Sequence, residues 1–205
     1  MDKKAIRDLV IEAGLQAVPY VGGAIATAYF GPKLEIRLKR IESFYEKISS
    51  EFEAVKDSFK SIENHDEGTL AAILESLHEN VELEPTTEKR KFFKNYLKST
   101  LIDPIKNNYD ERNYFLLCLK EMSLLECELL ALLQTQTEQV QVDALQKPGS
   151  EQYAIVGAVN RIKSRGFLAS SPGRLSIGGS EDNALLELVT VSSYGRKFHS
   201  FCLSD

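Results

Sequence analysis

The sequence contains no tryptophan, two methionines and three cysteines among its 205 residues. The cysteines, Cys118, Cys127 and Cys202, match neither the even set of a disulfide framework nor the paired spacing of a zinc site. Each lies in an apolar context typical of a buried thiol, so we expect three free cysteines and a reducing compartment. These features predict a cytoplasmic protein.

A surplus of positive charge is also missing. The chain has 25 lysines and arginines against 30 aspartates and glutamates, which gives a net charge of −5. A protein that coats nucleic acid nonspecifically needs many surplus cations to contact phosphates. The composition excludes that class, although it leaves room for a local basic face. An apolar content of 43% is ordinary for a soluble globular protein of one large or two small domains.

No catalytic constellation is visible in the sequence. The three histidines, His65, His78 and His199, are scattered along the chain, and neither Gly-Gly pair carries the lysine that a phosphate-binding loop requires. Cys118 and Cys127 have no histidine close to them in sequence. We therefore expect a protein that is not an enzyme and that has no catalytic residues, no metal and no cofactor.

A run without any charged residue extends from Ala13 to Pro32. Its length reaches the lower bound for a membrane span. Gln16 and Pro19 interrupt it, and alanine and glycine supply much of its bulk, which lets helices approach closely. Two interpretations follow: a buried helical hairpin within residues 5–31, or a segment, Ala13–Gly31, that inserts into a membrane.

The clearest predicted element is a long helix over residues 33–63. Its apolar residues alternate spacings of four and three without a break, which is the seam of a coiled coil over about four heptads. The seam consists of Leu34, Leu38, Ile41, Tyr45, Ile48, Phe52, Val55, Phe59 and Ile62. A seam requires a partner helix, which belongs either to the same chain or to a second copy in a homodimer.

Two further helices are predicted up to residue 102. The second carries the densest basic cluster of the chain, which consists of Lys89, Arg90, Lys91, Lys94 and Lys98. Aromatic residues are interleaved with these cations, a combination that suits nucleic acid or an anionic membrane surface. The simpler interpretation is an amphipathic helix with a lysine-rich solvated face.

Beyond residue 108 the pattern again predicts helices. Ser123 and Glu126 have the spacing of a capping box, so we expect a helix to start at Ser123. A short helix over 138–145 follows. The next helix covers 151–165 and ends at Gly166, a left-handed cap. Its inward stripe consists of Ile155, Val159 and Ile162.

After Gly166 the apolar period changes from helical to extended. Phe167–Ala169 predicts a strand, Ser170–Gly173 a turn and Ala184–Val189 the returning strand. Ser192 is the predicted N-cap of a last helix that reaches Leu203. The predicted order is helices, then a two-stranded hairpin, then a closing helix. This is the order of a winged-helix domain.

Two short segments resemble winged helix-turn-helix domains of the bacterial regulator type. Asn160–Leu168, NRIKSRGFL, resembles the cation-rich helix end and Arg-Gly-apolar-Leu junction of that superfamily. Val191–Phe198, VSSYGRKF, is similar to its Leu-Thr-x-x-Gly-Arg-x-Phe segment, with Val and Ser in place of Leu and Thr. The resemblance covers roughly Met122–Leu203, and it implies a winged-helix fold that serves either DNA or protein recognition.

A second resemblance concerns the layout of the whole chain. A helical N-terminal region precedes a Leu- and Ser-rich helix start within Leu119–Leu133. This arrangement resembles the abortive-infection alpha type of bacterial proteins. The resemblance implies a role in phage defence or stress response.

If the C-terminal part binds DNA, the helix over 151–165 is its recognition helix. The candidate DNA-contacting residues are Asn160, Arg161, Lys163, Ser164, Arg165 and, in the wing, Arg174. Recognition helices contact bases mostly through their N-terminal half, which here is acidic and apolar. The cations cluster at the other end, where they suit phosphates better than bases. The net charge from Lys147 to Asp205 is only +2, a weak basis for DNA binding.

The sequence therefore predicts a mostly α protein with two domains. A helical domain over 1–108 contains the apolar hairpin 5–31 and the long coiled-coil-like helix 33–63, and a winged-helix domain with a small β-hairpin covers 109–205. We expect a protein-interaction or oligomerisation module whose partner is a second copy or another protein. The alternatives are a winged-helix DNA-binding regulator and an effector that acts on an anionic membrane through 13–31 and the basic cluster.

Overall fold

The fold was analysed in a computed structural model, which describes residues 36, 37, 39–41, 43, 44, 66–105, 107–173 and 182–204. The chain divides into two compact units, Met1–Leu117 and Cys118–Asp205. The division falls inside a helix, whereas the predicted domain boundary at residue 108 precedes that helix. The described residues are mostly helical and contain one small three-stranded antiparallel sheet.

The described residues between 36 and 44 are all helical. Arg40 Nη1 donates a hydrogen bond of 2.7 Å to the carbonyl oxygen of Glu82, near the C-terminal end of the next helix. Phe44 is buried, and Ile41 is half-buried. Ile41 is the only predicted seam residue among those described, so the coiled-coil assignment stays a prediction.

The predicted apolar hairpin and its Ala13–Gly31 segment lie outside the described residues. Within the part of the chain that the structure describes, no helix combines the length and the apolar character needed to cross a bilayer. The two interpretations of Ala13–Gly31 are therefore both still predictions.

The first unit contains helices α1, Glu67–Leu83, and α2, Thr87–Ile102. The N-cap of α1 is Asp66, whose carboxylate accepts a hydrogen bond of 2.9 Å from the Thr69 backbone N–H. From the sequence alone, Gly68 suggests a helix breaker and Thr69 a possible N-cap. The structure corrects this, because the helix already includes Glu67 and Gly68. The short aspartate side chain satisfies a free N–H of the first turn, so the helix begins before Gly68.

Helix α3, Tyr109–Glu121, follows α2 after a short connection. Helices α1, α2 and α3 contribute buried side chains to the core of the first unit, which include Leu70, Ile73, Leu74, Leu77, Phe93, Tyr96, Leu97, Phe115 and Leu116. The Tyr96 hydroxyl donates to the Arg112 carbonyl oxygen at 2.9 Å. Burial lowers the pKa of His78 to about 4, so this core histidine is neutral at physiological pH.

The first helix that lies wholly within the second unit is α4, Leu124–Gln134, whose N-cap is Ser123. The predicted capping box is confirmed, because Ser123 Oγ accepts from the Glu126 N–H while Glu126 Oε2 accepts from the Ser123 N–H at 2.6 Å. The predicted helix over 138–145 is wrong. Strand β1, Val140–Gln141, and a 3₁₀ turn, Val142–Ala144, occupy this stretch. Val140 pairs with a valine of the sheet, and a short apolar pattern does not distinguish strand from helix.

Helix α5, Gln152–Ser164, buries the predicted stripe of Ile155, Val159 and Ile162. Arg165 is its C-cap, and Gly166 adopts a φ of 79°, as expected for a left-handed cap. Strand β2, Leu168–Ser171, starts two residues later and includes part of the predicted turn.

The returning strand begins later than the sequence predicts. Asp182 caps a single helical turn, α6, Asn183–Leu186, through a hydrogen bond of 2.9 Å from the Ala184 N–H. Strand β3, Leu188–Val191, follows this turn and lies between the other two strands in the order β1-β3-β2. Both pairings are antiparallel. The cap at Asp182 favours a helical turn where apolar alternation alone suggests a strand.

Helix α7, Ser193–Phe198, continues as a π-helical turn over His199–Leu203. The predicted N-cap, Ser192, is confirmed, since its Oγ accepts from the Gly195 N–H at 2.9 Å. The start of α7 packs directly on the junction between α5 and β2. The Ser192 N–H donates to the Phe167 carbonyl oxygen at 3.0 Å, and the Phe167 and Phe198 rings stack with centroids 4.3 Å apart.

Gly195 permits this close packing because it has no side chain. A Cβ placed at this position would lie 2.1 Å from the carbonyl oxygen of Phe167, which is fixed backbone. A Cβ at Gly68 in α1 would meet its nearest atom, Asp66 Oδ1, at 3.7 Å, which is an ordinary contact.

We expect Gly195→Ala to lower the free energy of unfolding by about 3 kcal/mol, because the helix must move away from the junction. The matched control Gly68→Ala should change it by less than about 1 kcal/mol, and in the stabilising direction because alanine favours helix. Urea unfolding followed by circular dichroism measures both. Equal effects of the two substitutions would contradict the close packing at Gly195.

Candidate functional site

Five of the six candidate DNA-contacting residues lie on α5 and its C-cap; Arg174 lies outside the described residues. Asn160, Arg161 and Ser164 are exposed, whereas Lys163 and Arg165 are half-buried. The helix thus brings the predicted residues together at one end. The partners of its three cations decide what that end can bind.

A buried carboxylate, Glu126, holds two of the cations. Its side chain is 2% exposed, and its Oε1 accepts from Arg161 Nε at 2.9 Å and from Arg165 Nη1 at 3.3 Å. Its other oxygen belongs to the capping box with Ser123. Arg165 also approaches Glu121, with Nη2 and Oε2 3.7 Å apart. One carboxylate therefore joins the start of α4 to the end of α5.

The pKa of Glu126 reflects this arrangement. Burial opposes ionisation, but the hydrogen bonds from Ser123 and Arg161 and the charge of Arg161 outweigh it and hold the pKa below its usual value. Glu126 is therefore ionised at neutral pH. A buried anion of this kind destabilises a fold unless cations and hydrogen bonds compensate it, so both arginines have a structural role.

The third cation, Lys163, forms an ion pair with Glu187 just before β3. Burial opposes ionisation of Glu187, but hydrogen bonds from Lys163 and Ser170 outweigh it and lower its pKa. This pair joins α5 to the segment between α6 and β3. All three cations of α5 and its C-cap are therefore bound to carboxylates of their own unit.

Arg161 nevertheless keeps part of its binding capacity. Its side chain is 55% exposed, and the hydrogen bond to Glu126 uses only Nε. Among the described residues, Nη1 and Nη2 have no recorded hydrogen-bond partner. Glu126 fixes the guanidinium through Nε while the side chain stays 55% exposed, which preorganises Arg161 for a second anionic group.

The opposite end of α5 carries an exposed aromatic residue, Tyr153, which is 57% exposed. Its hydroxyl donates to Asp182 Oδ2 at 3.1 Å, and this hydrogen bond and the charge of Asp182 raise the pKa of Tyr153. Asp182 and the residue before α5, Glu151, are exposed as well. The N-terminal end of α5 is consequently acidic, and its C-terminal end presents Arg161.

The basic cluster of α2 is smaller in the structure than in the sequence. Lys89 is buried and lies 3.4 Å from Glu84, measured from Nζ to Oε2. Arg90 donates from Nη1 to the carbonyl oxygens of Glu84 and Pro85, which stabilises the start of α2. Two of the five cations thus support their own helix. Binding of an anionic membrane through this cluster stays a prediction.

The described residues show no group of three histidine, cysteine or carboxylate side chains that could hold a metal ion. Glu75 precedes His78 by three residues, a spacing that can bind metal, but Glu75 is exposed while His78 is buried. The three cysteines are buried and none forms a disulfide, as the sequence predicts.

An open depression of about 370 Å³ lies beside the end of β2. Its walls come from β2, the residues after it and α6, and Glu187, its one ionisable residue, is paired with Lys163. The depression contains no pair of carboxylates, and its one carboxylate, Glu187, accepts hydrogen bonds from Lys163 and Ser170.

Comparison with known proteins adds no assignment. No family model, curated protein or solved structure matches the chain. The geometry of α5 and its surroundings therefore carries the functional argument alone.

Sequence reasoning missed the residues that determine how α5 is used. Glu126 is recognisable as a helix cap, but its ion pairs to Arg161 and Arg165 span 35 and 39 residues and leave no local pattern. Asp182 lies in a stretch of Gly, Ser, Glu and Asp that predicts only a flexible tip. Its hydrogen bond to Tyr153 depends on the course of the chain after β2.

Glu126→Ala should lower the free energy of unfolding at pH 7 by about 3 kcal/mol, because it removes the buried carboxylate that pairs with Arg161 and half-buried Arg165 and opens the capping box. The matched control Glu128→Ala removes a more exposed pair with Lys147 and should cost less than about 1 kcal/mol. Chemical denaturation of both variants measures the difference.

The pH dependence provides an independent check. Folding lowers the pKa of Glu126, so the ionised carboxylate stabilises the folded state fully above the ordinary pKa of 4.5. This stabilisation is lost as the pH falls through the lower pKa that Glu126 has in the folded protein. The stability gap between the parent protein and Glu126→Ala should therefore narrow on acidification below about pH 4.5. A gap that is independent of pH would contradict an ionised Glu126.

Proposed function

We propose that this chain is a non-enzymatic protein-interaction module that recognises another protein or a second copy of itself. The supporting observation is the internal pairing of the α5 cations with Glu126 and Glu187. Cations that stabilise their own fold contribute less to phosphate binding than free ones, whereas the exposed Tyr153 and Arg161 are residue types that dominate protein–protein interfaces. The resemblance to abortive-infection proteins suggests phage defence as the setting.

We assign a winged-helix type of fold to the second unit as part of this proposal. Helix α4 is followed by the short strand β1, helix α5 and strands β2 and β3, and this order supports the assignment. The central position of β3 in the sheet supports it as well. The two segments that carry the resemblance also meet in space, since Phe167 stacks on Phe198 and Ser192 bonds to Gly166. The 3₁₀ turn Val142–Ala144 stands where such a domain usually has a second helix.

DNA binding is the second candidate, and one observation favours it. Asn160, Arg161 and Ser164 are exposed on one face of α5, at the end where phosphate contacts are expected. The charge around them opposes it. Among the described residues from Cys118 onward, seven lysines and arginines stand against eight aspartates and glutamates.

The long helix with its seam and the insertion of 13–31 into a membrane remain predictions about residues that are mostly outside those described.

Fluorescence anisotropy with a labelled DNA duplex distinguishes the two candidates. We expect no binding up to about 10 μM protein at about 50 mM salt, because the unit has few free cations. Salt-dependent binding that weakens in Arg161→Ala, Lys163→Ala and Arg174→Ala would overturn the proposed function. Arg196→Ala and Lys197→Ala remove two exposed cations outside α5 and provide the control.

A further inference from the structure

Helix α2 carries a buried side-chain amide that lacks a hydrogen-bond partner. Asn95 is 4% exposed, and among the residues that the structure describes no group accepts a hydrogen bond from its Nδ2 atom. An unsatisfied buried donor destabilises a fold, and most such groups in proteins have a protein, water or ion partner. An acceptor from outside the chain would satisfy this amide.

Asn95 lies between two lysines on one side of α2. Lys91 precedes it by four residues and Lys98 follows it by three, a spacing that places the three side chains on one helical face. The buried aromatic and apolar residues of α2, such as Phe93 and Leu97, belong to the other side of the helix. The unsatisfied amide therefore projects from the same side as two ammonium groups.

The two lysines that flank Asn95 are unpaired. Lys91 is exposed and Lys98 is half-buried, and within the described part of the chain neither forms a hydrogen bond or an ion pair. In this they differ from Lys89, which pairs with a carboxylate. The one acidic residue of α2, Glu88, lies seven residues before Asn95, which is about 10 Å along the helix axis. Positive charge therefore dominates the surroundings of the amide.

We propose that Lys91, Asn95 and Lys98 bind a phosphate group. The two ammonium charges match a phosphate dianion, for which lysine is a common ligand, and the Asn95 Nδ2 donates to one of its oxygens. The lysines are about 10 Å apart along the helix axis. Their flexible four-carbon stems let both ammonium groups converge above Asn95, and also let them move aside to admit an oxygen to the amide.

This site goes beyond the proposed function, because it lies in the first unit and does not involve α5. It also differs from a general attraction of the basic cluster to an anionic surface. Such an attraction depends on the number of cations alone. Binding at the proposed site depends in addition on Asn95, which is uncharged. A carboxylate is a poorer ligand here, because its single charge leaves one of the two lysines unpaired.

An NMR titration of the full-length chain with inorganic phosphate tests the site directly. The probe is the side-chain amide signal of Asn95, assigned by triple-resonance methods, at constant ionic strength maintained with chloride. We expect a saturable shift of this signal with a dissociation constant on the order of 1 mM. A shift that grows linearly without saturation, or no shift, would overturn the proposal.

Thermal unfolding of variants separates the amide from the charges. At about 20 mM phosphate the parent should unfold about 4 °C higher than in chloride of equal ionic strength. Asn95→Leu should lose most of this gain, and in chloride it should be at least as stable as the parent because the unsatisfied donor is gone.

Two surface variants keep the proposal testable if Asn95→Leu does not fold. Lys91→Gln and Lys98→Gln should each weaken phosphate binding roughly threefold, the effect of one exposed ion pair. Arg196→Ala removes an exposed cation of the second unit and is the matched control, which should keep the full gain in unfolding temperature. Equal gains in the parent and in all variants would overturn the site.

Vesicle co-sedimentation distinguishes the two sources of such a phosphate group. Binding to phosphatidylcholine vesicles that contain phosphatidic acid, if inorganic phosphate competes with it and Asn95→Leu abolishes it, would identify a lipid headgroup. Binding of inorganic phosphate without vesicle binding would identify a soluble phosphate compound. Equal binding of the parent and Asn95→Leu to phosphatidic acid and phosphatidylserine vesicles would show a general attraction to anionic surfaces and overturn the site.

Discussion

The buried carboxylate of Glu126 is the constraint on which the second unit depends. An ionised side chain that is 2% exposed requires compensating partners, and here the Ser123 N–H, Arg161 and Arg165 provide them. These contacts fix the start of α4 against the end of α5. They also fix where α5 ends, which in turn places Gly166, strand β2 and the packing of α7 on Phe167.

This constraint changes the meaning of the cation cluster on α5. In the sequence, Arg161, Lys163 and Arg165 are typical of the end of a DNA recognition helix. In the structure each bonds a carboxylate of its own unit, and Arg161 has the most exposed side chain of the three. Such a cluster positions one guanidinium to bind a single anionic group. It does not present several cations that could contact many phosphates at once. Such a group suits recognition of a protein surface.

Local signals in the sequence predict the elements that depend on neighbouring residues. The capping box at Ser123, the inward stripe of α5, the cap at Gly166 and the N-cap at Ser192 are confirmed. The sequence is wrong where an element depends on a distant partner. Val140 pairs with Val189 in the sheet rather than continuing a helix, and the ion pairs of Glu126 join residues that are more than thirty positions apart.

A double-mutant cycle between Glu126 and Arg165 tests this account most directly. Arg165→Met keeps the apolar stem of the side chain and removes its charge, in the parent protein and in Glu126→Gln. The account predicts that the two substitutions are coupled by about 1–2 kcal/mol in the free energy of unfolding, because Arg165 stabilises the fold through the Glu126 carboxylate. Additive effects, within about 0.3 kcal/mol, would show that the arginine serves another purpose and would contradict it.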